Sequence, residues 1–227
     1  MNYALPLWDV PHVAIDQSDK KFPVHRIYCV GRNYAEHARE MGADPVREAP
    51  FFFCKPNDAV VPSGSVIPYP LATQNFHHEV ELVVALKAGG VNIKPEAALG
   101  LVFGYGVGVD LTRRDLQQAM KDKGRPWDIG KAFDRAAPIG ALRQATSGHV
   151  GQAAITLAVN DEVKQISDVK EMIWNVPDII AHLSGLFELK AGDLIFTGTP
   201  AGVGPLVKGD RIEARIAGLS PLDFSIG

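Results

Sequence analysis

Two glutamates lie close together in an apolar stretch at residues 75–86, which reads NFHHEVELVVAL. The part from Val80 onward has the composition of a buried strand. Side chains alternate between the two faces of a strand, so Glu79 and Glu81 share one face with His77. Two like charges about 4 Å apart repel by roughly 4 kcal/mol at an effective dielectric constant of about 20. A buried pair of this kind therefore needs a compensating charge.

A third carboxylate, Asp110, follows the glycine-rich strand GYGVGV and comes just before a helix. Three carboxylates without a cysteine partner suit a hard divalent cation, Mg²⁺, Mn²⁺ or Ca²⁺, better than zinc. Such a cation would turn the repulsion into attraction and leave positions at which a substrate can chelate. The competing interpretation is a solvated outer face, which is the more usual setting for two acids spaced in this way on a strand.

Other polar residues support the metal site only when they are considered together with the three acids. Lys131 is surrounded by apolar residues and glycine in DIGKAFD. Arg114 and Gln117 are three residues apart, on one face of the helix that follows Asp110. Taken alone, each of them fits an exposed surface position better than a functional one.

A short helical segment, NYAEHAREMG, carries a histidine and a carboxylate at helical spacing. Asn33 is the expected cap, Gly42 the expected stop, and His37 and Glu40 lie on adjacent positions of one face. A two-turn helix is too short to be stable in isolation. The pair could be an ordinary solvated contact, or the segment could be a lid that delivers a general base.

The rest of the chain favours a mainly β domain with a few helices. The β-like segments are short and bounded by turns, which indicates a barrel or a rolled sheet. One helix is expected after a Thr112 cap and ends at Gly124, and another begins near Pro177. Cys29 and Cys54 lie in apolar runs, which predicts buried thiols and no disulfide framework.

The overall composition excludes several classes of protein. A net charge of −3 gives no basic footprint, so nucleic acid is not an expected partner. No apolar run approaches the ~20 residues that span a bilayer, so no membrane partner is expected. The first residues also lack the pattern of a signal peptide. We therefore expect a cytoplasmic protein.

Several motifs together resemble the fumarylacetoacetate hydrolase family, and its small acylpyruvase-type branch in particular. The resemblance runs from about Arg26 to Gly218 and rests on the strings YCVGRNYAEHAREMG, FFFCKPNDAVV, HHEVELVVAL, GVDLTRRDLQ, GRPWDIGKAFD, MIWNVPDIIAHLS and GDLIFTGTPAGVGP. It implies a mixed β-roll over residues 22–227, preceded by an N-terminal extension at 1–21. It also implies a homodimer that acts on a small keto acid.

The resemblance further implies a role for each candidate residue. Glu79, Glu81 and Asp110 would hold Mg²⁺ or Mn²⁺, with Ca²⁺ as a substitute in crystals. The implied catalytic residues are His37 and Glu40, as a lid dyad, and Lys131. The implied substrate contacts are Arg114, Gln117, Thr199 and Lys55. Arg113 replaces the small residue that the family has before Arg114.

Three activities remain open at this point. The first is hydrolysis of a carbon–carbon bond in an acylpyruvate, with fumarylpyruvate giving fumarate and pyruvate in gentisate-type aromatic catabolism. In it, His37 would deprotonate water, Glu40 would orient the imidazole, and Lys131 would stabilise developing negative charge. The second uses the same site for oxaloacetate decarboxylation or dienoate isomerisation. The third is a non-catalytic ligand-binding β domain with merely solvated acids.

Overall fold

The computed structural model describes residues 3–40 and 49–227, and strands dominate this part of the chain. The strands are β1 (His12–Ala14), β2 (Lys21–Pro23), β3 (Ile27–Gly31), β4 (Phe51–Lys55), β5 (Val60–Pro62), β6 (Ser65–Ile67), β7 (Phe76–His78), β8 (Val80–Leu86), β9 (Val102–Val109), β10 (Thr112–Arg113), β11 (Ala137–Ile139), β12 (Arg143–Gln144), β13 (Ala154–Val159), β14 (Glu162–Asp168), β15 (Leu194–Phe196), β16 (Gly204–Leu206), β17 (Arg211–Ile216) and β18 (Leu222–Ile226). The α-helices are α1 (Ala35–Glu40), α2 (Pro95–Ala98), α3 (Arg114–Asp122), α4 (Asp128–Lys131) and α5 (Val176–Leu186). The predicted mainly β class with few helices is confirmed.

The strands form mixed sheets that enclose one hydrophobic core. The largest sheet has the order β4-β3-β15-β8-β9-β11-β5, with β12 also paired to β9. A five-stranded sheet has the order β14-β13-β17-β18-β6, and its strands β13 and β17 contact β8 and β9 of the large sheet. A small sheet, β10-β7-β16, adjoins them. Buried aliphatic and aromatic residues from both larger sheets belong to the same core cluster.

The central hairpin of the large sheet, β8 with β9, positions the predicted acids. Every residue of β8 is buried, which confirms the strand predicted from its apolar sequence. Glu81 is opposite Gly108 in the antiparallel register, and the Asp110 amide donates to the Glu79 carbonyl at 2.8 Å. A Cβ atom at Gly108 would lie 2.5 Å from Val83 Cγ2, so glycine permits the close packing of this hairpin.

Two of the predicted helix caps are wrong because their side chains bond to groups other than helix amides. The Asn33 amide donates to the carbonyls of Trp174 and Thr197, at 2.9 and 2.7 Å, instead of capping α1. Thr112 lies in β10, and its hydroxyl donates to the Asp110 carbonyl. The helix expected near Pro177 is confirmed as α5, and Asn175 caps it. The Gly42 stop lies outside the described residues.

The first strands of the chain pack against the rest of the fold. Strands β1 and β2 form an antiparallel pair, and Val13 and Ile15 are buried in the core. The Leu142 amide donates to the Ala14 carbonyl at 2.8 Å. The division at residue 21 into an extension and a catalytic domain stays a prediction.

Two further expectations from composition can be compared with the structure. Both cysteines are free thiols; Cys29 is buried as predicted, but Cys54, on the edge strand β4 of the large sheet, is exposed. Within residues 3–40 and 49–227, no helix is long and apolar enough to cross a membrane.

Candidate active site

The three predicted acids meet in one buried cluster. Glu79 is 5%, Glu81 2% and Asp110 0% exposed. One carboxylate oxygen from each lies within 4.8 Å of the other two. The solvated outer face considered from the sequence is therefore wrong, and the electrostatic cost of the cluster must be offset inside the protein.

Three buried cations compensate two of the acids. Lys131 Nζ donates to Glu79 Oε2 at 2.8 Å, to Asp110 Oδ2 at 2.7 Å and to the Thr112 hydroxyl at 2.7 Å. Lys55 Nζ lies 2.7 Å from Asp110 Oδ1. The Arg114 guanidinium donates to Glu79 Oε1.

The pKa values of the two glutamates respond in opposite directions. Burial would raise the pKa of Glu79, but Lys131 and Arg114 outweigh it and hold that pKa below its ordinary value. The pKa of Glu81 is raised well above its ordinary value by burial and by the neighbouring charges of Asp110 and Glu79. The cations in place therefore stabilise Glu79 as a carboxylate and leave Glu81 uncompensated.

The free oxygens fit a hard divalent cation. Glu81 Oε2 accepts the Gly198 amide at 2.7 Å. Asp110 Oδ1 is buried and, despite its proximity to Lys55, accepts no hydrogen bond. Clustered carboxylate oxygens with unused lone pairs are the ligand type that Mg²⁺ and Mn²⁺ take. The residues present therefore fit the predicted ion.

Lys131 and Lys55 both make buried contacts with the carboxylate cluster. Burial is the largest single effect on the pKa of Lys131 and would lower it. The charges of Asp110 and Glu79 together exceed that effect and raise the pKa, so Lys131 stays a cation. Its donors are all directed to protein acceptors. Lys55 Nζ donates to the carbonyls of Leu111 and Lys131 at 3.0 and 2.6 Å, and Lys55 is not among the residues that line the cavity. Lys55 is thus a buried partner of Asp110, and its contact with substrate stays a prediction.

The predicted lid dyad is formed in the structure. His37 Nδ1 lies 3.1 Å from Glu40 Oε2, which places the imidazole proton on Nδ1 if Glu40 is ionised. The Glu40 carboxylate also accepts the Gly202 amide, at 3.1 and 3.2 Å from its two oxygens. Helix α1 is thereby attached to the loop after β15 through the same carboxylate that orients His37.

One cavity brings most of the predicted residues together. The predicted residues that line it are His37, Glu79, Glu81, Asp110, Arg114, Gln117, Lys131 and Thr199. Arg114 donates to Gln117 Oε1 at 2.6 Å, so helix α3 presents both residues as one pair. His77 is next to them and accepts from Arg114; burial, reinforced by Arg114, lowers its pKa to about 4, so its imidazole is neutral.

Gln165 is a buried residue of the site that the sequence did not indicate. Its carbonyl oxygen lies 3.0 Å from both the Val80 amide and His78 Nδ1. Its amide nitrogen donates to the Thr199 hydroxyl at 2.8 Å and to the Pro200 carbonyl at 2.9 Å. Gln165 thus joins the strand of the two glutamates to the loop of Thr199. Gln165 lies in strand β14, whose sequence is EVKQISD. It is 0% exposed although the residues on either side of it are exposed, and its burial is visible only in the structure.

Another group of lining residues was also missed from the sequence. Arg32, Phe51, Phe53 and Trp127 form part of the cavity wall. The Thr197 hydroxyl donates to the Leu82 carbonyl at 2.9 Å. Of Thr197 and Thr199, only Thr199 lines the cavity.

Comparisons with known proteins agree with this geometry. The chain matches the family described as fumarylacetoacetate (FAA) hydrolase, C-terminal, over residues 26–226. It is 43% identical to fumarylpyruvate hydrolase of a Ralstonia species, over 79% of this chain and 94% of that one. It is 40% identical to the human mitochondrial oxaloacetate tautomerase FAHD1, over 88% and 90%. A crystal structure of fumarylpyruvate hydrolase from Pseudomonas aeruginosa, with Mn²⁺ and pyruvate, superimposes with a TM-score of 0.97 at 52% identity, covering 99% of each chain.

The Gln165 contacts lead to a prediction about stability. Gln165→Leu removes the hydrogen bonds of one side-chain amide and leaves buried groups of Val80 and Thr199 unsatisfied. We expect the free energy of unfolding to fall by about 2–4 kcal/mol, since each buried group left unsatisfied costs about 1–3 kcal/mol. Urea unfolding measures this change. The matched control is Gln152→Leu at an exposed position, which should change stability little. Equal stabilities of the two variants would contradict the role of Gln165.

Proposed function

Because this chain belongs to the fumarylacetoacetate hydrolase family, we propose that it hydrolyses a carbon–carbon bond of an acylpyruvate, with fumarylpyruvate as the substrate. The observation that carries the proposal is the buried cluster of Glu79, Glu81 and Asp110 beside His37 in one cavity. The products would be fumarate and pyruvate, in gentisate-type aromatic catabolism in the cytoplasm. The pyruvate found in the structure of the similar Pseudomonas enzyme supports this choice.

The metal ligands would be Glu79, Glu81 and Asp110, with Mn²⁺ or Mg²⁺ as the ion. When bound, the ion supplies Lewis-acid polarisation of the keto-acid oxygens. Lys131 and Arg114 hold Glu79 from two sides, and Lys131 with Lys55 holds Asp110. These contacts fix the carboxylates before any ligand binds, so little reorganisation is needed during the reaction.

His37 is well placed to be the general base. Glu40 accepts from Nδ1, which leaves Nε2 as the nitrogen that can take a proton from water. That water would attack the carbonyl carbon farther from the keto-acid end. The bond between this carbonyl carbon and the adjacent CH₂ then breaks, and its electrons leave with the pyruvate fragment, which is protonated at that carbon.

Polar groups that line the cavity would fix the orientation of the substrate. Gln117 and Thr199 line the cavity on different elements, α3 and the loop after β15. Arg114 is engaged with Glu79 and lines the cavity, so its charge would attract a carboxylate at the keto-acid end. A guanidinium fixed in this way favours binding of an anionic substrate.

A second candidate is tautomerisation or decarboxylation of oxaloacetate in the same cavity. The 40% identity to the human oxaloacetate tautomerase supports this second candidate. Both reactions begin with the same chelated keto-acid end, but they need no water attack. Product identity therefore separates the candidates.

A substrate panel tests the proposal directly. The protein, supplied with Mn²⁺, is assayed with fumarylpyruvate, acetylpyruvate and oxaloacetate, and products are identified by chromatography. Hydrolysis predicts equimolar fumarate and pyruvate from fumarylpyruvate. Turnover of oxaloacetate alone, to its enol or to CO₂ and pyruvate, would replace the proposal with the second candidate.

Variants of the dyad provide a sharper prediction. His37→Ala should lower kcat by roughly 10²–10⁴-fold, the usual worth of a positioned proton acceptor. Glu40→Gln should cost less, because the imidazole remains. Affinity for Mn²⁺, measured by calorimetry, should change little in either variant, because neither residue is a ligand in this mechanism. Wild-type hydrolysis by His37→Ala, or loss of Mn²⁺ binding, would refute the assignment.

We also propose a homodimer, as the family resemblance implies. Strands β4, β5, β6 and β14 end the two larger sheets, and exposed sheet edges are commonly covered by another chain. Light scattering at micromolar concentration should give about twice the chain mass of 24.5 kDa. A mass equal to one chain would contradict the dimer.

A further inference from the structure

An aromatic wall runs along the cavity between two cations. The rings of Phe53 and Trp127 lie 5.9 Å apart between centroids, and those of Trp127 and Phe51 lie 5.3 Å apart. At one end, Lys131 Nζ lies 5.1 Å from the Phe53 ring centre. At the other end, Arg32 Cζ lies 5.6 Å from the Phe51 ring centre. Phe53, Trp127 and Phe51 thus form a series of ring contacts that begins at Lys131 and ends at Arg32.

The backbone fixes Arg32 at the far end of this wall. Arg32 has a φ of +57°, a left-handed conformation that is uncommon for a residue other than glycine. The next residue, Asn33, anchors the chain through its bonds to Trp174 and Thr197. A Cβ atom at the preceding Gly31 would lie 2.0 Å from the Phe51 ring, so that ring packs directly on the backbone there. A strained residue held by its neighbours is often part of a site.

In the part of the chain that the structure describes, the charge of Arg32 has no acidic partner. Within residues 3–40 and 49–227, no carboxylate lies within ion-pair distance of its guanidinium. Two acids of the cavity, Glu79 and Asp110, already have Lys131, Lys55 and Arg114 as partners. Arg32 is therefore an additional cation on the wall, half-buried and stacked on Phe51 with its hydrogen-bond donors available.

Helix α3 carries a second additional cation on the other side of the cavity. Arg114, Gln118 and Lys121 lie at helical spacing along one face, and all three line the cavity. At 1.5 Å per residue, Lys121 lies about 10 Å along the helix axis from Arg114. Both walls therefore present a positive charge at some distance from the carboxylate cluster.

We propose that Arg32, assisted by Lys121, binds the second carboxylate of a dicarboxylate substrate, and that the aromatic wall selects a flat, unsaturated acyl chain between the two charged ends. This inference rests on the proposed hydrolase function and specifies its substrate class. A seven-carbon dicarboxylate such as fumarylpyruvate extends roughly 7 Å between its end carbons by standard bond lengths. That length is of the same order as the Arg114-to-Lys121 separation. The conjugated acyl half stacks on Phe51 and Trp127, and its carboxylate pairs with the Arg32 guanidinium.

A pair of matched substrates tests the subsite. One is fumarylpyruvate, and the other is the analogue in which a methyl group replaces the distal carboxylate. The wild type, with Mn²⁺, should prefer fumarylpyruvate. Arg32→Met should lower kcat/KM for fumarylpyruvate by about 10- to 100-fold, the usual effect of losing a charge-assisted hydrogen bond, and change the methyl analogue less than about threefold.

Matched controls separate this effect from general damage. Arg135 is an exposed arginine that also has a left-handed backbone, with φ of +60°, and it does not line the cavity, so Arg135→Met should leave both substrates unaffected. Lys121→Met, on an exposed helix position, should reduce the fumarylpyruvate rate alone by a smaller factor than Arg32→Met. Lys123→Met is its control outside the cavity.

The outcomes distinguish the subsite from the function. Equal losses on both substrates in Arg32→Met and Lys121→Met, or no loss on either, would overturn the subsite while hydrolysis by the wild type stands. Should Arg32→Met fail to fold, the substrate preference of Lys121→Met decides the question. A wild type that cleaves neither substrate would overturn the hydrolase function and the subsite together.

Discussion

The structure depends on how three carboxylates can share one buried volume. Glu79 and Asp110 have buried cations as neighbours, but within residues 3–40 and 49–227 no lysine or arginine lies within ion-pair distance of Glu81. Burial and the adjacent acids raise the pKa of Glu81. A divalent ion held by Glu79, Glu81 and Asp110 would supply the missing counter-charge, and it would bind best when Glu81 loses its proton. The demand for a cation is thus built into the folded chain.

The fold brings segments that are distant in the sequence together around the three carboxylates. The hairpin of β8 and β9 carries the acids, the loop after β15 supplies the Gly198 amide, and β14 of the other sheet supplies Gln165. Helix α1 reaches the same loop through Glu40 and Gly202. The proposed general base, the proposed metal ligands and the loop of Thr199 are therefore held by shared contacts. A shift in the loop after β15 would disturb all of them.

The sequence predicted the parts of the site that follow from local periodicity. Strand alternation placed Glu79 and Glu81 on one face, and the glycine-rich strand placed Asp110 at the end of β9. The helical spacing of His37 and Glu40 also matched their contact. The wider family resemblance was needed to connect these segments, because nothing local in the sequence brings residues 37, 79 and 131 together.

Long-range contacts explain what the sequence could not predict. Asn33 and Thr112 resemble helix caps, but the Asn33 amide donates to the Thr197 carbonyl and the Thr112 hydroxyl accepts from Lys131. Gln165 lies in a polar hairpin strand, so its burial depends on the opposite sheet. The left-handed backbone of Arg32 follows from the anchoring of Asn33, which appears only when β15 and the segment at Trp174 are in place. Such features require the assembled structure.

The unfolding temperature of metal-free and Mn²⁺-loaded protein tests the central claim most directly, in the wild type and in Glu81→Gln, with exposed Glu162→Gln as the control. Saturating Mn²⁺ at about 100 times its Kd should stabilise the wild type and the control by about 2.7 kcal/mol. Glu81→Gln should lose this gain, and without metal it should be at least as stable as the wild type, because an uncompensated buried acid has been removed. Equal stabilisation of Glu81→Gln by Mn²⁺, or its marked destabilisation without metal, would contradict the account.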